Sequence, residues 1–161
     1  MLTLNTRKSE KPEVGGQRSE VGRSTPLIYL QTWSFTMQIN SAKDLNVYKS
    51  GYELAMRVFE LSKCFPPEER FALTSQIRRS SRSVCLNLRE AWAKRRYPAH
   101  FVSKLTDCDG ENSETDASLD FAKDCRYITS EQHAELTAIC QKIGKMLGSM
   151  MKNSESFLIA N

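Results

Sequence analysis

The sequence predicts an all-α protein, an antiparallel up-down-up-down four-helix bundle, on three observations. Four segments between about Asp44 and Lys152 repeat their apolar residues at helical spacing. Short connections separate them at Phe65-Pro66-Pro67, Tyr97-Pro98 and Tyr127-Ile128-Thr129. No segment alternates apolar and polar residues far enough to make a strand. Short connections lay consecutive helices side by side, running in opposite directions.

Residues 1–36 differ in composition from the rest. Up to Pro26 they are rich in Gly, Ser, Pro and charge and have no period; the apolar patch LIYLQTWSF follows, and then Met37. A segment of the first kind buries too little apolar surface to offset its ordering entropy. The expectation is that 1–36 are a disordered or non-native N-terminal extension, that Met37 is the natural start, that 37–153 form the bundle and that 154–161 are a frayed tail. Intact mass of the natively expressed protein tests the start, and a mass that includes Met1 refutes it.

The first helix is predicted from about Asp44 to Cys64. Leu45, Tyr48, Tyr52, Ala55, Phe59 and Ser62 step by three and four, and Leu54, Val58 and Leu61 widen the stripe, so this helix faces more than one neighbour. Gly51 inside it costs roughly 1 kcal/mol relative to alanine and marks a close approach of helices. The second helix opens at Pro67 or Glu68, where proline and acidic residues suit a first turn, and runs to Tyr97. Its apolar stripe is Phe71, Ile77, Val84, Leu88 and Ala91.

The third helix is predicted over about Ala99–Arg126. Phe101, Leu105, Cys108, Asn112, Thr115, Leu119 and Ala122 form the most regular stripe in the chain, with two polar residues at its middle. Gly110 lies within this helix at the same mild cost as Gly51. Thr129 with Gln132 three residues on fits a capping box for the fourth helix, from about Ser130 to Lys152. Its face is Leu136, Ile139, Cys140, Ile143, Met146, Leu147 and Met150.

Composition narrows the chemistry. The chain has 161 residues, 40% of them hydrophobic and 26% charged, which is ordinary for one soluble domain. Five scattered cysteines, Cys64, Cys85, Cys108, Cys125 and Cys140, form no CxxC pair. They read as free apolar core residues in a reducing cytoplasm and supply no zinc pattern. His100 and His133 lie beside helix starts and read as surface residues; neither follows a glutamate by three residues, as a di-iron bundle requires. No phosphate-binding glycine loop and no nucleophile motif is present. No run reaches the ~18 apolar residues of a membrane span. No enzyme, metal site, cofactor or membrane partner is therefore expected.

Charge is the functional signal. Glu68–Tyr97 carries eight basic residues, Arg70, Arg78, Arg79, Arg82, Arg89, Lys94, Arg95 and Arg96, against three acidic ones, while the whole chain is only +4. Arg78, Arg79 and Arg82 are near neighbours on one side, and Lys94, Arg95 and Arg96 with Trp92 and Tyr97 cluster at the helix end. Arginine pairs phosphate bidentately and an adjacent aromatic stacks on an exposed base, so these six basic residues are the candidate nucleic-acid contacts. Opposing them, the third helix holds seven acids against three bases. Packed on the second helix of its own or a neighbouring subunit, it would neutralise much of that charge, and such unlike faces suit a cyclic homo-oligomer. Asn87, Glu90, Asn112 and Thr115 read as a buried polar network that fixes helix register; a paired-carboxylate site from Glu90 and Glu114 is the functional alternative.

The order FPPEERFALTSQIRRSSRSV, NLREAW, LDFAKDCRYI and the Thr129 cap resembles the four-helix-bundle proteins of the 23S rRNA intervening-sequence family, over about Ala42–Lys152. Arg78, Arg79, Asn87 and Glu90 are the positions that match. Cys85 stands where many members place a proline, Arg89 and Ala91 where a small residue and a glycine are common, and Ala117 and Ser118 where bulkier residues are expected. The resemblance implies a homopentamer of four-helix subunits. One branch of the family is the accessory variability protein of diversity-generating retroelements, which works with a reverse transcriptase through a basic surface. The expectation is a non-catalytic, oligomeric accessory protein that binds RNA or DNA, with a nucleic-acid-processing protein as a further partner. The alternative is a protein-interaction scaffold whose helix-two charge is used in subunit or partner contacts.

Overall fold

A computed structural model describes residues 39–159. Among these residues the regular structure is helical and there is no strand: α1 is Asn46–Leu61, α2 Leu73–Ala93, α3 Pro98–Asp124 and α4 Ser130–Lys152. α1 packs against α2 and α4, and α3 packs against the same two helices. All four contribute to one apolar core, in which Leu54, Ile77, Leu105, Leu119, Leu136 and Ile143 are essentially sealed from water. Along α2 and α3, partner numbers rise on one helix as they fall on the other. Gln76 meets Glu114, Arg79 meets Glu111, the Cys108 thiol donates to the Val84 carbonyl, and Lys104 meets Glu90. No helix of the described residues is long and apolar enough to cross a membrane. The expectations for residues 1–36 and for a start at Met37 lie outside the described residues.

The stripes of the last two helices match their predicted faces. Phe101, Leu105, Cys108, Asn112, Thr115, Leu119 and Ala122 of α3 are all buried. On α4, Leu136, Cys140, Ile143, Leu147 and Met150 are buried, with Ile139 and Met146 packed at the margin. The Thr129 capping box forms both of its hydrogen bonds, the Gln132 N–H to Thr129 Oγ1 at 3.2 Å and the Thr129 N–H to Gln132 Oε1 at 2.9 Å. α3 ends at Asp124 rather than Arg126. There the N–H of Arg126 bonds Lys123 O and that of Tyr127 bonds Ala122 O, both at 2.8 Å, with Arg126 at φ 62°. This is a Schellman ending with arginine where glycine is usual.

The first two helices depart from expectation in definite ways. Tyr52 is 56% exposed, not part of the core. It sits two residues from Leu54, about 200° around the helix, and the buried face runs instead through Val47, Ser50, Gly51, Leu54 and Val58. Phe71 is 87% exposed, and α2 begins at Leu73. Pro67–Phe71 forms a 3-10 turn, and Ala72 breaks it from α2 at φ −112°, ψ −112°. Glu69 reaches across that break: its Oε2 accepts the Leu73 N–H at 3.1 Å and its Oε1 accepts the Tyr127 hydroxyl at 3.2 Å. One carboxylate thus caps α2 and ties it to the α3–α4 connection.

α2 runs unbroken through Cys85, which lies against α1 and donates to Tyr48 O at 3.7 Å. A Cβ on Gly51 would sit 3.3 Å from both Cys85 Sγ and Val84 Cγ1, so this glycine sets the close approach of α1 and α2. Gly110 has nothing within 4 Å of such an atom and has no packing role. In the segment expected to fray, Ser154–Phe157 is a 3-10 turn, the Phe157 ring lies 6.2 Å from that of Phe101, and the Ile159 N–H reaches Arg95 O at 3.4 Å.

Candidate nucleic-acid interface

α2 has two edges, and its basic residues divide between them. On the edge toward α3, Arg79 meets two carboxylates, Glu111 at 3.2 Å and Glu114 more closely, and these raise its pKa above the ordinary guanidinium value. Gln76 donates to the same Glu114 at 2.7 Å. Further along, Lys104 of α3 sits among Asn87 (3.4 Å), Glu90 (3.0 Å) and Asp107 (2.9 Å), and its hydrogen bonds to Asp107 and Glu90 raise its pKa.

On the edge toward α1, the arginines meet an aromatic ring. The guanidinium carbons of Arg78 and Arg82 stand 5.1 and 5.6 Å from the centroid of Phe59, and Lys63 approaches the same ring at 4.7 Å. These distances suit cation–π attraction. Arg78 Nε also donates to Ser62 Oγ at 2.6 Å, which fixes the guanidinium while leaving its other donors available. Among the described residues, no carboxylate lies within ion-pair distance of Arg70, Arg78 or Arg82. These three arginines with Phe71, Thr74, Ser75, Ser83 and Leu86 line an open groove of about 530 Å³, which Arg79 also borders although its guanidinium is paired with Glu111 and Glu114. Arginine beside phenylalanine, flanked by hydroxyls, offers bidentate donors for phosphate and an aromatic face for a base.

The second predicted cluster is dispersed. Arg95 folds back on its own helix, its Nε donating to Trp92 O at 2.7 Å with the guanidinium 3.5 Å from the Trp92 ring, and burial lowers its pKa. Lys94 is half-buried at the end of α2, and only Arg96 projects fully into solvent. From Arg82 to Lys94 is about 18 Å along the helix, so the six candidates do not form one patch. Sequence reasoning missed Phe59, assigned to the core, and Phe71, assigned to the α2 stripe. The Arg78–Arg82 spacing of four was legible, but the ring they share comes from another helix.

The four polar residues assigned to one network separate into two groups. Asn87 and Glu90 are on the outside with Lys104, and Glu90 is exposed. Asn112 and Thr115 are in the core. Asn112 Nδ2 donates to Cys140 O at 3.0 Å, and Thr115 Oγ1 shares a 2.9 Å hydrogen bond with Ser80 Oγ. The register device inside the bundle is therefore Thr115–Ser80 and Asn112–Cys140, and Ser80 went unnoticed in the sequence because it carries no apolar signal. Glu90 and Glu114 bind different cations and make no carboxylate pair.

Three thiols are core groups: burial raises Cys85 to about 11 and Cys108 and Cys140 to about 12. Cys64 and Cys125 are exposed, unlike the core role expected of them. His133 is half-buried rather than on the surface, and its Nε2 lies 2.7 Å from Asp120 Oδ1. No group of three or more His, Cys, Asp or Glu among the described residues is arranged to hold a metal ion.

The sequence profile of the 23S rRNA-intervening sequence protein family matches residues 43–149. The chain belongs to this family. The match spans all of α2 and α3, and thus both edges just described. The chain is also similar to a crystal structure of a protein of unknown function from the S23 ribosomal protein family of Bacteroides thetaiotaomicron. The two are 33% identical with a TM-score of 0.60, over 66% of this chain and 95% of the other. Comparison with curated proteins finds no match. Neither the family's description nor that of the similar structure names an enzymatic activity.

Proposed function

We propose that this family member is a non-catalytic, cytoplasmic accessory protein that binds RNA through the α1-facing edge of α2. The observation that carries this reading is the set of arginines around Phe59, Arg78 and Arg82 with nearby Arg70, which meet no carboxylate although α3 supplies seven acids to the same molecule. A guanidinium left unpaired beside an acid-rich neighbour has its donors available for an anion from outside. Among the residues predicted for the contact, Arg78, Arg82 and Arg96 keep that role; Arg79 is taken by Glu111 and Glu114, and Arg95 by Trp92.

In this proposal the helices form an antiparallel up-down-up-down bundle. The descending partner numbers between α2 and α3 support it, and so do Arg78–Ser62 against Cys85–Tyr48 between α1 and α2. The subunits assemble as a cyclic homo-oligomer, a pentamer by family resemblance. Repetition around a ring turns a few arginines per subunit into a polyvalent basic surface whose avidity exceeds that of one copy. A nucleic-acid-processing protein is the natural co-worker of such an accessory.

A scaffold reading has one observation of its own. A second groove, of about 540 Å³, lies between the start of α2 and the end of α3, with exposed Phe71 and Phe121 beside Ala117. An apolar groove of this kind suits a protein contact. Light scattering of the protein with and without a structured RNA at low salt separates the two. Uptake of RNA mass that reverses as salt rises supports the accessory reading. A particle indifferent to RNA at low salt refutes it and leaves the scaffold.

A further inference from the structure

We infer that the nucleic acid is single-stranded at this site and that Phe71 is a stacking platform for an unpaired base. The inference rests on the RNA-binding reading above and goes beyond it by naming the form of the strand.

Phe71 is the most exposed large hydrophobic residue among those described, at 87%. Its own fold does not need it there, since it precedes the break at Ala72 and contributes nothing to the α2 stripe. Yet its position is firmly held. The turn that carries it begins with Pro66-Pro67, and Glu69, two residues before the ring, is fastened to both Leu73 and Tyr127. A rigid mount with an exposed ring at its tip loses little entropy when something stacks on it.

The surroundings are divided as a single strand would require. Phe71 borders the groove of Arg78 and Arg82 and also the apolar groove of Ala117 and Phe121. Arg70 stands 5.3 Å from the ring centroid, so a cation lies beside the aromatic face. Phosphates fit the arginine side, and a splayed base fits the ring. A duplex presents phosphates outward and keeps its bases paired and stacked inside, so it can use the arginines but leaves Phe71 against water. Aromatic platforms next to a cationic track are the means by which proteins hold single strands.

The test uses the full chain and three labelled RNAs of equal length in low salt. They are an unstructured strand, the same strand with abasic positions replacing its central bases, and a blunt duplex. The expected result is binding to the base-carrying strand at least about fivefold tighter than to the abasic strand, the low end of what one stacked base supplies. Phe71→Ala removes that preference and leaves abasic-strand and duplex binding unchanged, while Phe71→Trp keeps it. Equal affinity of the wild type for base-carrying and abasic strands overturns the inference while the RNA-binding reading stands. So does a Phe71→Ala variant that keeps the preference but changes its mass in solution, which would assign the ring to a contact between copies. Failure to bind any of the three RNAs refutes the RNA-binding reading and the inference with it.

Discussion

On the edge of α2 that faces α3, Arg79 is met by Glu111 and Glu114, and Glu90 is met by Lys104. On the edge that faces α1, Arg78 and Arg82 are met by a phenylalanine ring and a serine hydroxyl. One helix thus has a neutralised edge and an edge whose charge is left over. The difference comes from the neighbours. α3 brings acids to the first edge, and α1 with the turn that follows it brings Phe59 and Ser62 to the second. Arg78 and Arg79 are adjacent in sequence, yet only Arg79 is paired with carboxylates.

The strongest way to break the comparison is charge reversal. Arg78→Glu with Arg82→Glu is expected to weaken RNA binding at low salt by about a hundredfold or more, because two phosphate contacts are replaced by two repulsions. Arg79→Ala is expected to change it by less than about threefold, since that guanidinium is already paired. Fluorescence anisotropy on both variants decides, and equal losses would end the distinction between the edges.

Next in size is the wedge. Gly51→Leu places a side chain where even a Cβ is 3.3 Å from Cys85 Sγ and Val84 Cγ1. Overpacking of this kind costs about 2 kcal/mol, measured by urea unfolding. It also moves α1 and Phe59 away from the arginines, so RNA binding falls with stability.

The α3-facing contact predicts the opposite pattern. Thr115→Val removes the hydroxyl that joins Ser80 in the core and costs about 1 kcal/mol of stability, with RNA affinity unchanged. A loss of affinity there would show that the two edges are coupled.

The smallest effect comes from the part-buried carboxylate of Asp116, on the side of α3 toward α4. Burial raises the Asp116 pKa, with Asp120 adding to the rise and His133 and Cys140 opposing it. Its folded-state value lies above its unfolded one, so its ionisation destabilises the fold. Stability from this group is greatest below the ordinary carboxylate range and falls as pH rises through the folded value. Asp116→Asn is therefore expected to raise the melting temperature slightly at pH 7 and to leave it nearly unchanged in acid. A lower melting temperature at pH 7 would contradict the sign.

Helical spacing made the α3 and α4 faces legible in the sequence because each presents a single regular stripe. α1 misled at Tyr52 because it has apolar residues on more than one side, and only packing chooses among them. Phe71 misled because its spacing fits α2, while Pro67 starts a 3-10 turn that changes the phase before Leu73. The basic character of α2 was readable from composition. Which arginines stay unpaired was not, because pairing depends on the register between helices far apart in sequence. Asn87 and Glu90 looked like partners of Asn112 and Thr115 for the same reason: the residue types were right, and the register puts them on different sides of the helix.

The most direct measurement is the salt dependence of RNA binding by the wild type, Arg78→Ala/Arg82→Ala and Arg79→Ala, with a single RNA. The expected result is a log-affinity slope against log salt shallower by about two in the double variant, one for each lost phosphate contact, and unchanged in Arg79→Ala. A double variant with the wild-type slope, or an Arg79→Ala variant that loses as much slope per arginine as the double variant does, would contradict the claim that the α1-facing edge of α2 is where the nucleic acid binds.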